Sequence, residues 1–299
     1  MTLRRVAIIG ASVAAVAAGA VAPAPASPQA PSRAYLGPLR SWGGTEIRSL
    51  DRAPTRTTAT ARTMTATART MTATAAAATT TPTPAPKPDV VLSNERTVTR
   101  WAYVDDTGPI HTRPSPKSPV ITSLHWDTED GFPEIYLVLR EHWDAQGQPW
   151  VLVRIPMRPN GRTGWVRRSR LSDFQLTRTL VTVNRERLRM YFSYKGRTIW
   201  SAPVGVGKPS TPTPAGHFWI RERFTITDRN SGYWPYAFGT SDYSTLSDWP
   251  GGGVVGIHGP YFANSSIPGY ISHGCIRLHP SDDTWLAWHI QLGTPLHIV

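Results

Sequence analysis

The chain of 299 residues predicts a mainly β protein, with a small β-barrel or sandwich over 97–172 and a second β-rich unit over 175–299 that carries one short helix near its end. Three observations predict it. Short runs alternate apolar and polar residues at the strand period, among them Trp150-Val151-Leu152-Val153-Arg154-Ile155 and Thr179-Leu180-Val181-Thr182-Val183. Clusters of Pro, Gly and Asp separate those runs. Only Ser281 to His289 has helix punctuation: Ser281 as N-cap, acids in the first turn, and Gly293 and Pro295 beyond the end. A hydrophobic content of 40% with 12 Trp is enough for a packed core.

Taken from the amino terminus, Met1-Thr2-Leu3-Arg4-Arg5 precedes an uncharged Ala/Val-rich run from Val6 to Val21 and the small residues Ala20-Val21-Ala22, the layout of a secretory signal over 1–22. Export to the cell wall or the extracytoplasmic space is therefore expected. The competing expectation is a retained anchor, but sixteen residues, Val6 to Val21, fall short of the roughly 20 that a bilayer core requires. No later stretch approaches that length, so no transmembrane span is expected once the signal is removed. The absence of a cysteine near the cleavage region excludes a lipid-modified terminus.

From about Ala24 to Pro88, within a spacer over 23–96, the composition collapses to Ala, Thr, Pro and Arg, and Thr58-Ala59-Thr60-Ala61-Arg62-Thr63-Met64 recurs as Thr65 to Met71. Such a segment has little to bury and is expected to be a disordered spacer, with order resuming near Thr97. Its seven-residue period offers one Met and no apolar pair, which excludes a coiled coil. A monomer reaching through this spacer is the default expectation. The net charge of +12 points to anionic cell-wall polymers and anionic lipid ahead of nucleic acid, for which no role is expected; a charge that merely aids solubility is the plain alternative.

Within the first β unit, Arg158 to Val166 reads as a hairpin with Asn160-Gly161 at its turn. In the second, Thr179 to Val183, Leu188 to Phe192, Thr198 to Trp200 and Val204 to Gly207 read as successive strands of a meander, with turns at Asn184-Arg185 and Lys195-Gly196. Pro295 to Val299 is the expected last strand.

Cys275 is the single cysteine and lies in Ser272-His273-Gly274-Cys275-Ile276-Arg277, with His258 seventeen positions upstream. A lone thiol closes no internal disulfide. With an ordinary pKa of about 8.5 it is mostly protonated at neutral pH, and a nearby imidazole raises the thiolate fraction or takes the proton outright. His273 on the same extended segment points parallel to the sulfur, whereas His258 on an adjacent segment can approach it, so His258 is the expected base. Gly274 frees the backbone before the nucleophile, and amides around Gly274 and Cys275 could hold an oxyanion. Arg277, two positions on, faces the same side and could pair a substrate carboxylate or its own backbone. Each residue taken singly has a structural alternative: a buried thiol or a hydrogen-bonded core histidine.

The spacing of His258, thirteen residues, then Ser272-His273-Gly274-Cys275 resembles the signature of the L,D-transpeptidase (YkuD-like) catalytic domain. The stretch Val204 to Phe218, with Gly207-Lys208 and Thr213-Pro214-Ala215-Gly216-His217-Phe218, is similar to a second family motif. The resemblance covers 175–299 and implies a sandwich-like β fold. It implies Cys275 as nucleophile, His258 as base and acid, the Gly259 carbonyl orienting His258, and Ser272, His273, Gly274 and Arg277 on the substrate and oxyanion side. It implies attack on the diaminopimelate–D-Ala bond of a peptidoglycan stem, release of D-Ala, transfer to a second stem as a 3→3 cross-link, and acylation by carbapenems. Water or a protein amine as acceptor stays open. No cofactor and no metal are implied. Arg277 stands where many members have Asn. Gly164-Trp165-Val166 resembles the closing strands of bacterial SH3-like domains, whose family role is often to bind cell-wall material; a supporting role is the alternative. Tyr233-Trp234-Pro235-Tyr236-Ala237-Phe238 is a candidate lid segment, with core packing as the plainer expectation.

Three other readings compete. A papain-like peptidase places its cysteine before its histidine, the reverse of the order here. A zinc site from His258, His273, Cys275 and His279 has legitimate ligands but no familiar spacing. A lapsed, purely wall-binding protein conflicts with the retention of both His258 and Cys275.

Overall fold

The computed structural model describes residues 40–42, 45–51, 87–248, 250–260 and 266–299. The expected signal segment lies outside these. Strands β1 (Arg40–Trp42) and β2 (Thr45–Ser49) form an antiparallel hairpin. The first β unit follows with β3 (Val90–Val91), β4 (Thr99–Tyr103), β5 (Pro109–His111), β6 (Val120–Ser123), β7 (Ile135–Trp143), β8 (Pro149–Arg154), β9 (Thr163–Arg167) and β10 (Gln175–Thr177). They pair antiparallel in the order β10-β4-β7-β8-β9-β5-β6, with β3 beside β7. Alternate residues of β4, β7, β8 and β9 turn Ala102, Tyr136, Val138, Val151, Val153 and Val166 into one core.

The second unit contains β11 (Thr179–Asn184), β12 (Arg189–Tyr194), β13 (Arg197–Pro203), β14 (Gly205–Gly207), β15 (Gly216–Trp219), β16 (Phe224–Ile226), β17 (Tyr236–Tyr243), β18 (Val254–His258), β19 (Gly269–Ser272), β20 (Ile276–Arg277), helix α1 (Pro280–His289) and β21 (Pro295–Ile298). One sheet runs β13-β12-β11-β21-β15; the other runs β1-β2-β16-β17-β18-β20-β14-β19. Val181, Val183, Met190 and Phe192 of the first meet Val206, Phe238, Ile257 and Ile276 of the second, and α1 adds Leu286 and Ala287. The result is the expected mainly β, sandwich-like unit with a single short helix among the described residues.

Several expectations need correction. The 23–96 segment contains β2, which adds to the edge of the larger sheet by pairing with β16, Ile47 opposite Ile226. Ile47 is fully buried against Phe224, Ile226 and Ala237, so one apolar residue docked on an open edge outweighs an otherwise unpromising composition. Order also resumes before Thr97, because Asn94 caps its own turn through Oδ1, accepting from the amides of Arg96, Thr97 and Val98. Gln175 to Thr177 completes the first sheet against β4, which moves the unit boundary from 175 to about 178. The meander holds for β11, β12 and β13, and Lys195-Gly196 turns with φ of 49° and 79° as a two-residue hairpin of this hand requires. Its expected fourth strand, β14, crosses to the other sheet and sits between β20 and β19. Helix α1 starts at Pro280, with His279 at the N-cap and Ser281 one position inside, because proline is preset for the first turn.

The two units meet through a buried polar cluster and an apolar one. Trp219 packs with Ile135, Leu137 and Leu292, and its indole nitrogen donates to the Ile135 carbonyl at 3.3 Å. Arg221 forms a two-pronged pair with Glu134 and reaches Glu129 at 3.0 Å. The Tyr243 hydroxyl donates to Glu129.

Candidate active site

Strand β20 delivers the cysteine. It lies parallel to β18, pairing Ile257 with Ile276 and His258 with Arg277, so the end of β18 and the start of β20 open onto one cleft of about 130 Å³. Cys275, His258, Arg277, His273, Tyr233 and Ser244 line it. The sequence-predicted nucleophile and base are therefore brought to the same cavity, and Arg277 joins them.

Cys275 is half-buried, and the Gly256 amide donates to its sulfur at 3.4 Å. Burial pushes the thiol above its ordinary pKa; the Gly256 amide and the Arg277 guanidinium pull against that rise, and Asp242 adds to it. His258 is 2% exposed. Burial, then the Arg277 cation, lower its pKa to about 3, against a smaller upward pull from the Gly259 and Gly232 carbonyls. Its Nδ1 lies 2.7 Å from the Gly259 carbonyl oxygen. A carbonyl only accepts, so Nδ1 carries the proton and Nε2 the lone pair. Tyr233 packs edge-on against the imidazole, centroids 4.7 Å apart. Gly259 has no room for a side chain: a Cβ would stand 1.7 Å from the Trp234 carbonyl oxygen.

The turn before the cysteine is braced from inside. Gly274 has φ of 129°, a conformation that favours glycine, and its amide donates to Ser272 Oγ at 3.1 Å. Ser272 Oγ in turn donates to the Cys275 carbonyl at 2.6 Å. Ser272 is fully buried, so it supports the turn instead of facing substrate, contrary to expectation. The Gly274 amide is likewise engaged and is withdrawn from the expected oxyanion donors. His273 is exposed at the cleft mouth.

The second sequence motif folds over this turn. Lys208 N donates to the Ser272 carbonyl at 2.9 Å. Thr213, 1% exposed, accepts from the Gly207 amide at 2.9 Å and donates to the Gly274 carbonyl at 2.7 Å. Thr213 was visible only as one letter of a motif; nothing local in the sequence marks its hydroxyl as the bridge. The candidate lid divides: Tyr233 walls the cleft, while Ala237 and Phe238 are fully buried in strand β17. The zinc alternative lacks its geometry, since among the described residues no group of three or more His, Cys, Asp or Glu is placed to hold a metal ion. Among those residues no helix is long and apolar enough to cross a membrane.

The fold is thus a β-sandwich whose cleft brings the Cys275 thiol and the His258 imidazole together. Residues 178–298 match the YkuD family, described as the L,D-transpeptidase catalytic domain. Among known proteins, L,D-transpeptidase 1 of Mycobacterium tuberculosis is 31% identical over 115 residues, covering 36% of this chain and 45% of that protein. L,D-transpeptidase 2 of the same organism is 28% identical over 109 residues, covering 35% and 27%. The chain thus spans less than half the length of either relative. A solved structure of a mutant Enterococcus faecium L,D-transpeptidase shares 26% identity over 40% of this chain and 49% of that one, with a TM-score of 0.33.

Proposed function

We propose that this protein is an exported peptidoglycan L,D-transpeptidase in which Cys275 is the nucleophile and His258 the general base and acid. The observation that carries the reading is the shared cleft of Cys275 and His258 within the matched domain. Burial lowers the imidazole to about 3 and raises the thiol above its ordinary value, so both shifts favour the neutral pair over the thiolate–imidazolium pair at rest. The imidazole therefore takes the proton outright as sulfur attacks, instead of holding a preformed ion pair.

The thiol proton passes to His258 Nε2 as the sulfur–carbon bond forms at the diaminopimelate carbonyl. With Gly274 engaged, the oxyanion falls to the Cys275 amide. The carbon–nitrogen bond then breaks, His258 returns the proton to the departing D-Ala amine, and a thioester remains. The side-chain amine of a second stem attacks that thioester, releasing the thiol and forming the 3→3 cross-link. Arg277, at the cleft wall, receives a stem carboxylate. The net charge of +12 favours residence among anionic wall polymers. The first β unit is read as SH3-like on its Gly164-Trp165-Val166 strand.

Purified protein incubated with tetrapeptide muropeptides is expected to release D-Ala and to gain the mass of a carbapenem, and Cys275→Ala to do neither. Persistence of either signal in that variant removes Cys275 from its role. Mass spectrometry of the products identifies the acceptor as stem, water or protein amine.

A further inference from the structure

The hairpin between β8 and β9 reaches out of the first β unit onto the cleft wall. Asn160, chosen by sequence as a turn former, uses its side chain elsewhere. Its Nδ2 donates to the Tyr243 carbonyl at 3.0 Å, and its Oδ1 accepts from the Tyr243 amide at 3.1 Å. One primary amide thus pairs with both backbone groups of one residue, as a neighbouring strand would. The same Nδ2 donates to Asp242 Oδ1 at 2.8 Å. Two residues earlier, Arg158 lies over the Tyr243 ring at 4.8 Å and donates through Nη2 to the carbonyls of Ser244 and Gly252, both at 2.9 Å. Those carbonyls belong to the two ends of a loop that closes on itself through the Ser244 amide and the Gly253 carbonyl, 2.9 Å apart.

This loop is the wall opposite the nucleophile turn. Ser244 and Gly253 line the cleft. Ser244 Oγ donates to the His273 carbonyl at 3.4 Å, and a Cβ on Gly274 would lie 3.4 Å from the Ser244 Cβ. The contacts run without a gap from Asn160 and Arg158, through Tyr243 and Ser244, to His273, Gly274 and Cys275. Gly253, with φ of 80°, leaves the space Arg158 fills, since a Cβ there would stand 2.6 Å from its Nη2.

We propose that the first β unit completes the active site, with Asn160 and Arg158 as positioning residues that hold the wall formed by Asp242 to Ser244 and by Gly252 and Gly253 against the nucleophile turn. The inference rests on the assignment of Cys275 as nucleophile. The Asp242 carboxyl is fully buried, which raises its pKa well above the ordinary carboxylate value; it is satisfied on one oxygen by Asn160, and when ionised it raises the pKa of the thiol. The bond from Asn160 is thus an electrostatic link as well as a mechanical one.

The test compares the full chain with Asn160→Asp, Arg158→Ala and Arg158→Lys, reading carbapenem acylation at Cys275 by mass, the pH profile of its alkylation by iodoacetamide, and thermal unfolding. Asn160→Asp is isosteric but replaces a donor with an acceptor facing Asp242 and the Tyr243 carbonyl. Acylation is expected to slow about tenfold or more in Asn160→Asp and Arg158→Ala, an effect of the size a displaced supporting group produces. The alkylation midpoint of Asn160→Asp is expected to rise by about half a pH unit from the added negative charge. Arg158→Lys keeps a cation and a donor and recovers most of the rate. Acylation within twofold of the unmodified protein in both variants, with an unmoved alkylation profile, overturns the proposal. If Asn160→Asp does not fold, the Arg158 pair decides: loss in Ala without recovery in Lys also overturns it. If the unmodified protein is alkylated but never acylated, it is the transpeptidase assignment that fails, and the alkylation profile still decides the positioning role.

Discussion

Arg221 and His258 are nearly equally buried, at 3% and 2% exposure, yet burial has opposite consequences for them. Arg221 loses its hydration but faces Glu134 and Glu129, and those carboxylates outweigh the desolvation and hold its pKa well above the ordinary value. Glu129, about a third of whose side chain is exposed, is held low by the same pairing against partial desolvation. His258 faces the Arg277 cation, which adds to desolvation, and two carbonyls whose smaller upward pull does not offset them, so it stays neutral. Burial does not set the charge state; the partner does. The interface between units is thereby built from paired ions, and the cleft holds a neutral imidazole.

The largest effect that tests this contrast is loss of the base. His258→Gln is expected to lower acylation by roughly 10²- to 10⁴-fold, the usual worth of general base catalysis. The unmodified protein should show no acid limb near pH 6.5, because an imidazole with a pKa of about 3 remains deprotonated throughout the neutral range. A limb near 6.5 in the rate of acylation would break the comparison at its catalytic end. At the other end, Arg221→Met strands the buried Glu134 carboxylate and unpairs the more exposed Glu129, and should cost about 3 to 5 kcal/mol in denaturant unfolding, as broken buried pairs do. A cost below about 1 kcal/mol would show that water already serves those carboxylates. The smallest effect sharpens the rule. Glu222, buried beside Asp130 and bonded to Thr128, has its pKa raised by burial first and by that neighbouring acid, and so is neutral. Glu222→Gln should therefore change stability by less than about 1 kcal/mol, an ordinary neutral hydrogen-bond exchange.

Much of this was legible because it was local. Alternation over Thr179 to Val183 and the Lys195-Gly196 turn each express a preference of a few adjacent residues, and the structure contains both. The Cys275 and His258 cleft was legible through spacing. What could not be read depends on partners far along the chain. Strand β2 has a single buried apolar residue in its described part and exists because β16 offers an unpaired edge. Ser272 sits two positions from Gly274 in a motif that suggests substrate contact, yet the positive φ of Gly274 folds its hydroxyl inward. Asn160 has every mark of a turn residue, and only the arrival of Tyr243, over eighty positions later, gives its amide a second use.

The docking of β2 changes what the Ala/Thr/Pro-rich stretch can be. Leu50 bonds the Arg223 carbonyl at 2.9 Å and Asp51 pairs with Arg223 at 2.8 Å, while on the far side Asp89 pairs with His142 at 2.7 Å. The described residues flanking 52–86 are thus both tied to the folded body, Leu50 and Asp51 on one side and Asp89 on the other. A single cut between those two anchors would leave both flanks held to the body by these contacts.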